Sequence, residues 1–125
     1  MRRIFVGSDH AGFTLKTAVK EYLMKNNNYQ VIDVGTEDLN SCHYPNYAHK
    51  MVEAIKPEDR GILVCGSGIG IGIAANKCNM PCATAHDEFT AVEVGRNFNV
   101  MAMGERVVAQ VLAFEMVDEF LKVSW

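Results

Sequence analysis

The chain has 125 residues, 49% of them apolar and 22% charged, with a formal net charge of −3 at pH 7. That length predicts a single domain over residues 1–125, able to bury roughly two thirds of its unfolded-chain surface. With that mild negative charge no nucleic-acid or membrane-surface footprint stands out, and no apolar run approaches the ~20 residues that span a bilayer.

The first predicted strand is Arg3–Ser8, an apolar run that ends in Asp9-His10-Ala11-Gly12. Phe13–Asn26 then carries Phe13, Leu15, Val19, Tyr22 and Leu23 at helical spacing, and Asn26-Asn27-Asn28 turns the chain. Tyr29–Val34 reads as a second strand closed by Gly35-Thr36, followed by a polar loop over 36–44. Pro45 suits the first turn of a helix running to about Ile55, and Lys56-Pro57-Glu58-Asp59 turns into the next strand.

That strand, centred on Ile62-Leu63-Val64, is β-branched and apolar enough to be buried on both faces. It breaks into Gly66, Gly68, Gly70 and Gly72, and a helix is expected to resume at Ile73–Lys77. Cys82–Ala85 is a fourth strand, and a helix begins at Asp87 or Glu88 and runs to about Gly95. Val100–Met103 is a fifth strand, and Val107–Val123 a final helix. Strands alternating with helices predict an α/β fold, a five-stranded parallel sheet covered by helices on both faces.

Ligands of such sheets bind beyond the carboxyl ends of the strands. That rule gathers Asp9 and His10, the segment Cys65–Gly70, and Gly104-Glu105-Arg106 onto one rim. A lone cysteine is more often a packing residue than a catalyst. Cys65, however, ends a strand just before a glycine loop and a helix N-terminus, where amides attract anions and a thiolate is stabilised. Ser67 lies two residues on, and Arg106 is a candidate fork for a phosphate.

Other motifs weigh less. Gly70-x-Gly72-x-x-Ala75 fits a short dinucleotide pattern, with Asp87 at about the expected distance, but follows the third strand instead of the first. Cys78-x-x-x-Cys82-x-x-x-His86 lacks a fourth metal ligand and the spacing of a zinc site. With Cys42 and Cys65, these thiols in a chain without a signal-peptide core read as reduced, which predicts a cytoplasmic protein. His43 and His49 suggest no partner, while His86 lies near a strand end.

Taken in order, Gly7-Ser8-Asp9-His10-Ala11-Gly12, Val34-Gly35-Thr36, Tyr44-Pro45-x-Tyr47-Ala48, Cys65-Gly66-Ser67-Gly68-Ile69-Gly70, Ala74-Ala75-Asn76-Lys77, His86-Asp87-Glu88-Phe89-Thr90-Ala91 and Gly104-Glu105-Arg106-Val107 closely resemble the type B ribose-5-phosphate isomerases. These are sisters of the galactose-6-phosphate and allose-6-phosphate isomerases, and the resemblance runs from residue 4 to about residue 121. It implies a Rossmann-like three-layer α/β/α sandwich, a homodimer with active sites at the subunit interface, and no cofactor. It also implies interconversion of ribose 5-phosphate and ribulose 5-phosphate through an enediolate. By resemblance, Cys65 is the base between C2 and C1, since the position where some members carry a glutamate falls at or beside Gly72. Gly66, Ser67, Gly68, Ile69 and Gly70 hold the enediolate oxygens, Asp9 the sugar hydroxyls, and His10 and Arg106 the phosphate.

Two departures stand out. The family's His-Asn pair before the fifth strand is replaced by Gly95-Arg96-Asn97-Phe98-Asn99-Val100, about two residues shorter and without histidine. Asn97 and Asn99 are the remaining candidates there, and ring opening falls to Ser67, to His86 or to spontaneous opening. No arginine follows Arg106, which implies either a longer natural chain or a weaker grip on phosphate. The competing readings are an isomerase of six-carbon sugar phosphates (allose 6-phosphate or galactose 6-phosphate) and a catalytically weak sugar-phosphate-binding protein.

Overall fold

Alternation along three neighbouring strands divides the core in two. In β1 (Arg2–Ser8), β3 (Arg60–Cys65) and β5 (Val100–Gly104), Ile4, Val6, Ile62, Val64, Met101 and Met103 face one side, while Phe5, Leu63, Cys65, Val100 and Ala102 face the other. These strands are buried on both faces, which is why they read as continuous apolar runs. The computed structural model describes residues 1–35 and 50–125. The predicted loop over 36–44, the start of the helix at Pro45, Cys42, His43, His49 and the Tyr44–Ala48 motif lie outside the described residues.

β2 (Tyr29–Asp33) and β4 (Cys82–Thr84) complete a five-stranded, wholly parallel sheet in the order β2-β1-β3-β5-β4. α1 (Phe13–Met24), α3 (Glu88–Asn97) and α4 (Gln110–Ser124) supply Leu15, Val19, Leu23, Ala91, Val94, Met116 and Phe120 to the first side. α2 (Ile69–Lys77) and the helical residues 50–54 supply Ile71, Ala74, Ala75 and Met51 to the second. The helix-covered parallel sheet predicted from the alternation is the fold observed, a three-layer α/β sandwich. No helix among the described residues is long and apolar enough to cross a membrane.

Two helices start elsewhere than the sequence suggests. α2 begins at Ile69, not Ile73, so Gly70 and Gly72 belong to its first turns. Glycine costs a helix about 1 kcal/mol relative to alanine, but an added Cβ at Gly72 would lie 3.2 Å from Thr84 Oγ1 and 3.6 Å from Ala102 Cβ. Close packing on the sheet therefore overrides propensity, and gives Gly72 a structural reason that needs no dinucleotide. α4 begins at Gln110, not Val107, because the amides of Val107 and Val108 turn back onto the carbonyl of Gly104 at 3.0 and 3.1 Å.

β1 and β3 are hydrogen-bonded neighbours, yet α1 leaves β1 on one face and α2 leaves β3 on the other. Their carboxyl ends thus part into the crevice where parallel sheets bind ligands.

Candidate active site

At the end of β3 the Cys65 side chain turns toward α2 and its Sγ accepts a hydrogen bond from the Gly68 N–H at 3.0 Å. Gly68 is the N-cap of α2 and takes φ +85°, ψ −17°, left-handed geometry that favours glycine. A Cβ there would also come within 2.8 Å of the Met103 carbonyl carbon. The thiol is therefore held by an amide at the positive end of a helix. It is also only 4% exposed and shares an apolar cluster with Leu63, Ile71 and Phe5. The sequence suggests a sulfur at the mouth of the loop; the fold sets it beneath the turn, because position 65 continues the inward alternation of Gly61 and Leu63.

The turn above the thiol is accessible. Ser67 is exposed and its Oγ accepts from the Ile69 N–H at 3.2 Å. Ile69 is 55% exposed, and Gly66 and Gly70 are half-buried. Two amides at the start of α2 are already engaged, that of Gly68 by Cys65 Sγ and that of Ile69 by Ser67 Oγ, and the other first-turn amides have no partner within the helix.

Asp9 and His10 follow β1 directly. Asp9, 7% exposed, caps the short 3-10 turn His10–Gly12 by accepting the Gly12 N–H on Oδ1 at 3.0 Å. Gly12 permits this turn to sit on β3, since a Cβ would lie 2.3 Å from the Val64 carbonyl oxygen. From β5, the Glu105 N–H donates to Cys65 O at 2.8 Å and the Arg106 N–H to Gly66 O at 3.0 Å. That extension of the ladder carries the Arg106 guanidinium over Gly66, where an added Cβ would lie 3.4 Å from Nη1. Arg106 is exposed and makes no ion pair among the described residues. Asp9, His10, Cys65–Gly70 and Arg106 thus converge on one rim.

Asn97 and Asn99 do not join them. Asn97 ends α3 with Nδ2 donating to the Glu93 carbonyl at 2.8 Å, and the Asn99 carbonyl accepts the Gly61 N–H at the start of β3. Both line a cleft of about 390 Å³ with Pro57, Arg60 and Pro81, at the amino ends of the strands. Within one protomer they stand at the opposite end of the sheet from Cys65. A larger cleft of about 540 Å³, lined by Tyr22, Tyr29 and Asp118, also lies at that amino end.

His86 is exposed beyond the carboxyl end of β4, its N–H donating to Thr90 Oγ1 at 2.9 Å. Cys82 opens that same strand, so extended chain of ~13 Å separates the two and dissolves the spacing considered for a metal. Neighbouring Asp87 caps α3 on the Thr90 N–H and hydroxyl, contacts that hold its carboxyl below the usual range.

Three further side chains shape the rim through contacts that the sequence does not assign to them. Thr84 Oγ1 donates to Gly68 O at 3.0 Å. Glu105 Oε1 accepts the Leu15 N–H at 2.7 Å. Asn76 ties α2 to β4, donating to Gly72 O and Cys82 O and accepting the Cys82 N–H. Asn76 and Glu105 fall within the ordered motifs, and the signal for Thr84 is a hydroxyl within the apolar run Cys82–Ala85.

A family model described as Ribose/Galactose Isomerase matches residues 4–125. The chain belongs to this family. It is a sugar-phosphate isomerase. It is 39% identical over 130 residues to ribose-5-phosphate isomerase B of Escherichia coli, covering 100% of this chain and 87% of that one. It is 37% identical over 130 residues to D-erythrulose-4-phosphate isomerase 2 of Mycolicibacterium smegmatis, covering 98% and 86%. The solved ribose-5-phosphate isomerase B of Clostridium thermocellum superposes with a TM-score of 0.91 at 41% identity, over 98% of this chain and 86% of that one. The family's parallel α/β sheet is thus shared over nearly the whole chain, as the ordered motifs imply.

Proposed function

We propose that the chain interconverts ribose 5-phosphate and ribulose 5-phosphate without a cofactor, with Cys65 as the base. The reading rests chiefly on the 3.0 Å hydrogen bond from the Gly68 N–H to Cys65 Sγ at the N-terminus of α2. A thiolate there takes the proton from C2 of the open-chain aldose, and the electron pair moves into the C1–C2 bond as C1=O becomes an alkoxide. Amides of the Gly66–Gly70 turn steady that enediolate oxygen; losing one such donor typically costs ~10²–10³ in rate. The proton of the C2 hydroxyl passes to O1, and the thiol returns its own proton to C1, which leaves the ketose at C2. Asp9 orients sugar hydroxyls, and His10 and Arg106 take the phosphate. Ser67, with an exposed hydroxyl on the turn, is the rim group for ring opening.

The active assembly is a cytoplasmic homodimer. Asn97 and Asn99, remote from Cys65 in their own protomer, reach a sugar only in the site of a second copy. A monomeric mass by sedimentation would remove both from the site.

The decisive assay offers ribose 5-phosphate alongside four-carbon and six-carbon aldose phosphates and follows ketose formation. The four-carbon arm is included because one relative is a D-erythrulose-4-phosphate isomerase. Fastest turnover on the five-carbon substrate, falling about 10²–10⁴-fold in Cys65→Ala, is the expected result. Binding without turnover on any substrate would leave only a sugar-phosphate-binding protein, and full activity in Cys65→Ala would remove the thiol from its role.

A further inference from the structure

Gly68 is gripped on two sides: its N–H donates to Cys65 Sγ at 3.0 Å, and its carbonyl accepts the Thr84 hydroxyl at 3.0 Å. We propose that Thr84 is a positioning residue for Cys65, aiming the Gly68 amide at the sulfur from the rigid sheet below. This inference rests on the reading of Cys65 as the base. A left-handed glycine has no side chain to set its orientation and is the most permissive point of the backbone. Thr84 has neither freedom. It sits in β4, paired with Ala102 of β5, and its β-branched side chain is stiff at χ1.

The packing is as close as the hydrogen bond. An added Cβ at Gly68 would lie 2.9 Å from Thr84 Cγ2, and one at Gly72 would lie 3.2 Å from Thr84 Oγ1. The turn and the first part of α2 therefore rest on both branches of one side chain. The methyl branch supports the turn sterically, while the hydroxyl fixes the carbonyl that follows the donating amide. Without that hydroxyl, the 66–68 turn retains its contact but loses its rotational anchor, and the amide spends less time pointed at Sγ.

Thr84→Val keeps shape and branching and removes only the hydroxyl, while Thr84→Ser keeps the hydroxyl and removes the methyl. Both are compared with wild type for kcat and KM on ribose 5-phosphate. The rate of Cys65 alkylation at one fixed pH is followed alongside by peptide mass. Thr84→Val is expected to lower kcat about fivefold with KM unchanged and to slow Cys65 alkylation by a similar factor. Thr84→Ser is expected to restore both. A purely structural role would lower the melting temperature of Thr84→Val yet leave alkylation of Cys65 unchanged; unchanged or faster alkylation overturns the proposal. If wild type itself shows no turnover, the isomerase reading fails separately, and the alkylation rates alone decide the role of Thr84.

Discussion

The carboxylate of Glu105 accepts the backbone N–H of Leu15 at 2.7 Å, across 90 positions of sequence. Leu15 lies in the first turn of α1, whose N-cap, Gly12, brings no side-chain cap of its own. A residue of the β5 loop thus caps the helix behind Asp9 and His10, and locks two parts of the rim together. Glu105→Ala is expected to destabilise the fold by about 1–2 kcal/mol, the loss typical of a helix cap. Glu105→Gln, which keeps an acceptor, should recover most of it; urea unfolding of the two variants checks this.

Arg106 reaches the rim by backbone hydrogen bonding, its N–H on Gly66 O, and its guanidinium makes no ion pair among the described residues. An arginine that only binds phosphate contributes equally to ground and transition states. Arg106→Ala should therefore raise KM about tenfold or more while changing kcat much less, with little change in melting temperature. Steady-state kinetics separate these. A fall confined to kcat would instead assign Arg106 to the reacting centre.

Asp59 closes the turn before β3. It accepts Arg3 Nε at 3.1 Å, Arg3 Nη2 at 2.7 Å and the Lys56 N–H at 2.9 Å while almost fully buried. The Arg3 hydrogen bonds, then the Lys56 amide, hold its carboxyl below the usual carboxylate range. A carboxyl with a depressed folded value stabilises above the ordinary range of about 3.9 and loses that contribution as pH falls through the folded value. Asp59→Ala is expected to cost about 1–3 kcal/mol near neutrality. The gap between wild type and variant should hold constant from about pH 5 to 8 and shrink below about pH 4, as measured by denaturant titration at each pH.

Cys82 is 4% exposed at the start of β4, and burial pushes its thiol up to about 12. An unfolded cysteine ionises near 8.5, so above that pH the unfolded chain releases a proton that the folded one retains. Cys82 therefore draws stability down as pH rises from about 8.5 toward 12. In the native protein at pH 8, iodoacetamide should modify the half-buried Cys78 and spare Cys82. Peptide mapping after brief labelling would show this, and labelling of Cys82 at the rate of Cys78 would contradict its burial.

Local pattern carried much of this molecule. Apolar runs such as Ile62–Val64 declare buried parallel strands by composition alone, and the alternation of strands with helices dictates a layered sheet. The clustering of Asp9, His10, Cys65 and Arg106 follows from one rule about strand ends. Pattern failed where packing competed with propensity. Gly70 and Gly72 look like loop, yet α2 includes both, and it packs so close to Thr84 and Ala102 that a Cβ at residue 72 would crowd the Thr84 hydroxyl at 3.2 Å. Asn97 and Asn99 stand next to a strand in sequence, but before it, and so fall at the other end of the sheet.

By itself, then, the order of residues determined the fold class and the family, because apolar runs, turns and ordered motifs are all read from near neighbours in the chain. Only the tertiary structure decided that Cys65 lies beneath its turn, that Thr84 holds Gly68, and that Glu105 caps the helix at Leu15. Those contacts join residues 16 to 90 positions apart, or depend on which way a side chain faces within a packed layer. A hydrogen bond of that kind exists only once the sheet has set both partners within about 3 Å of each other.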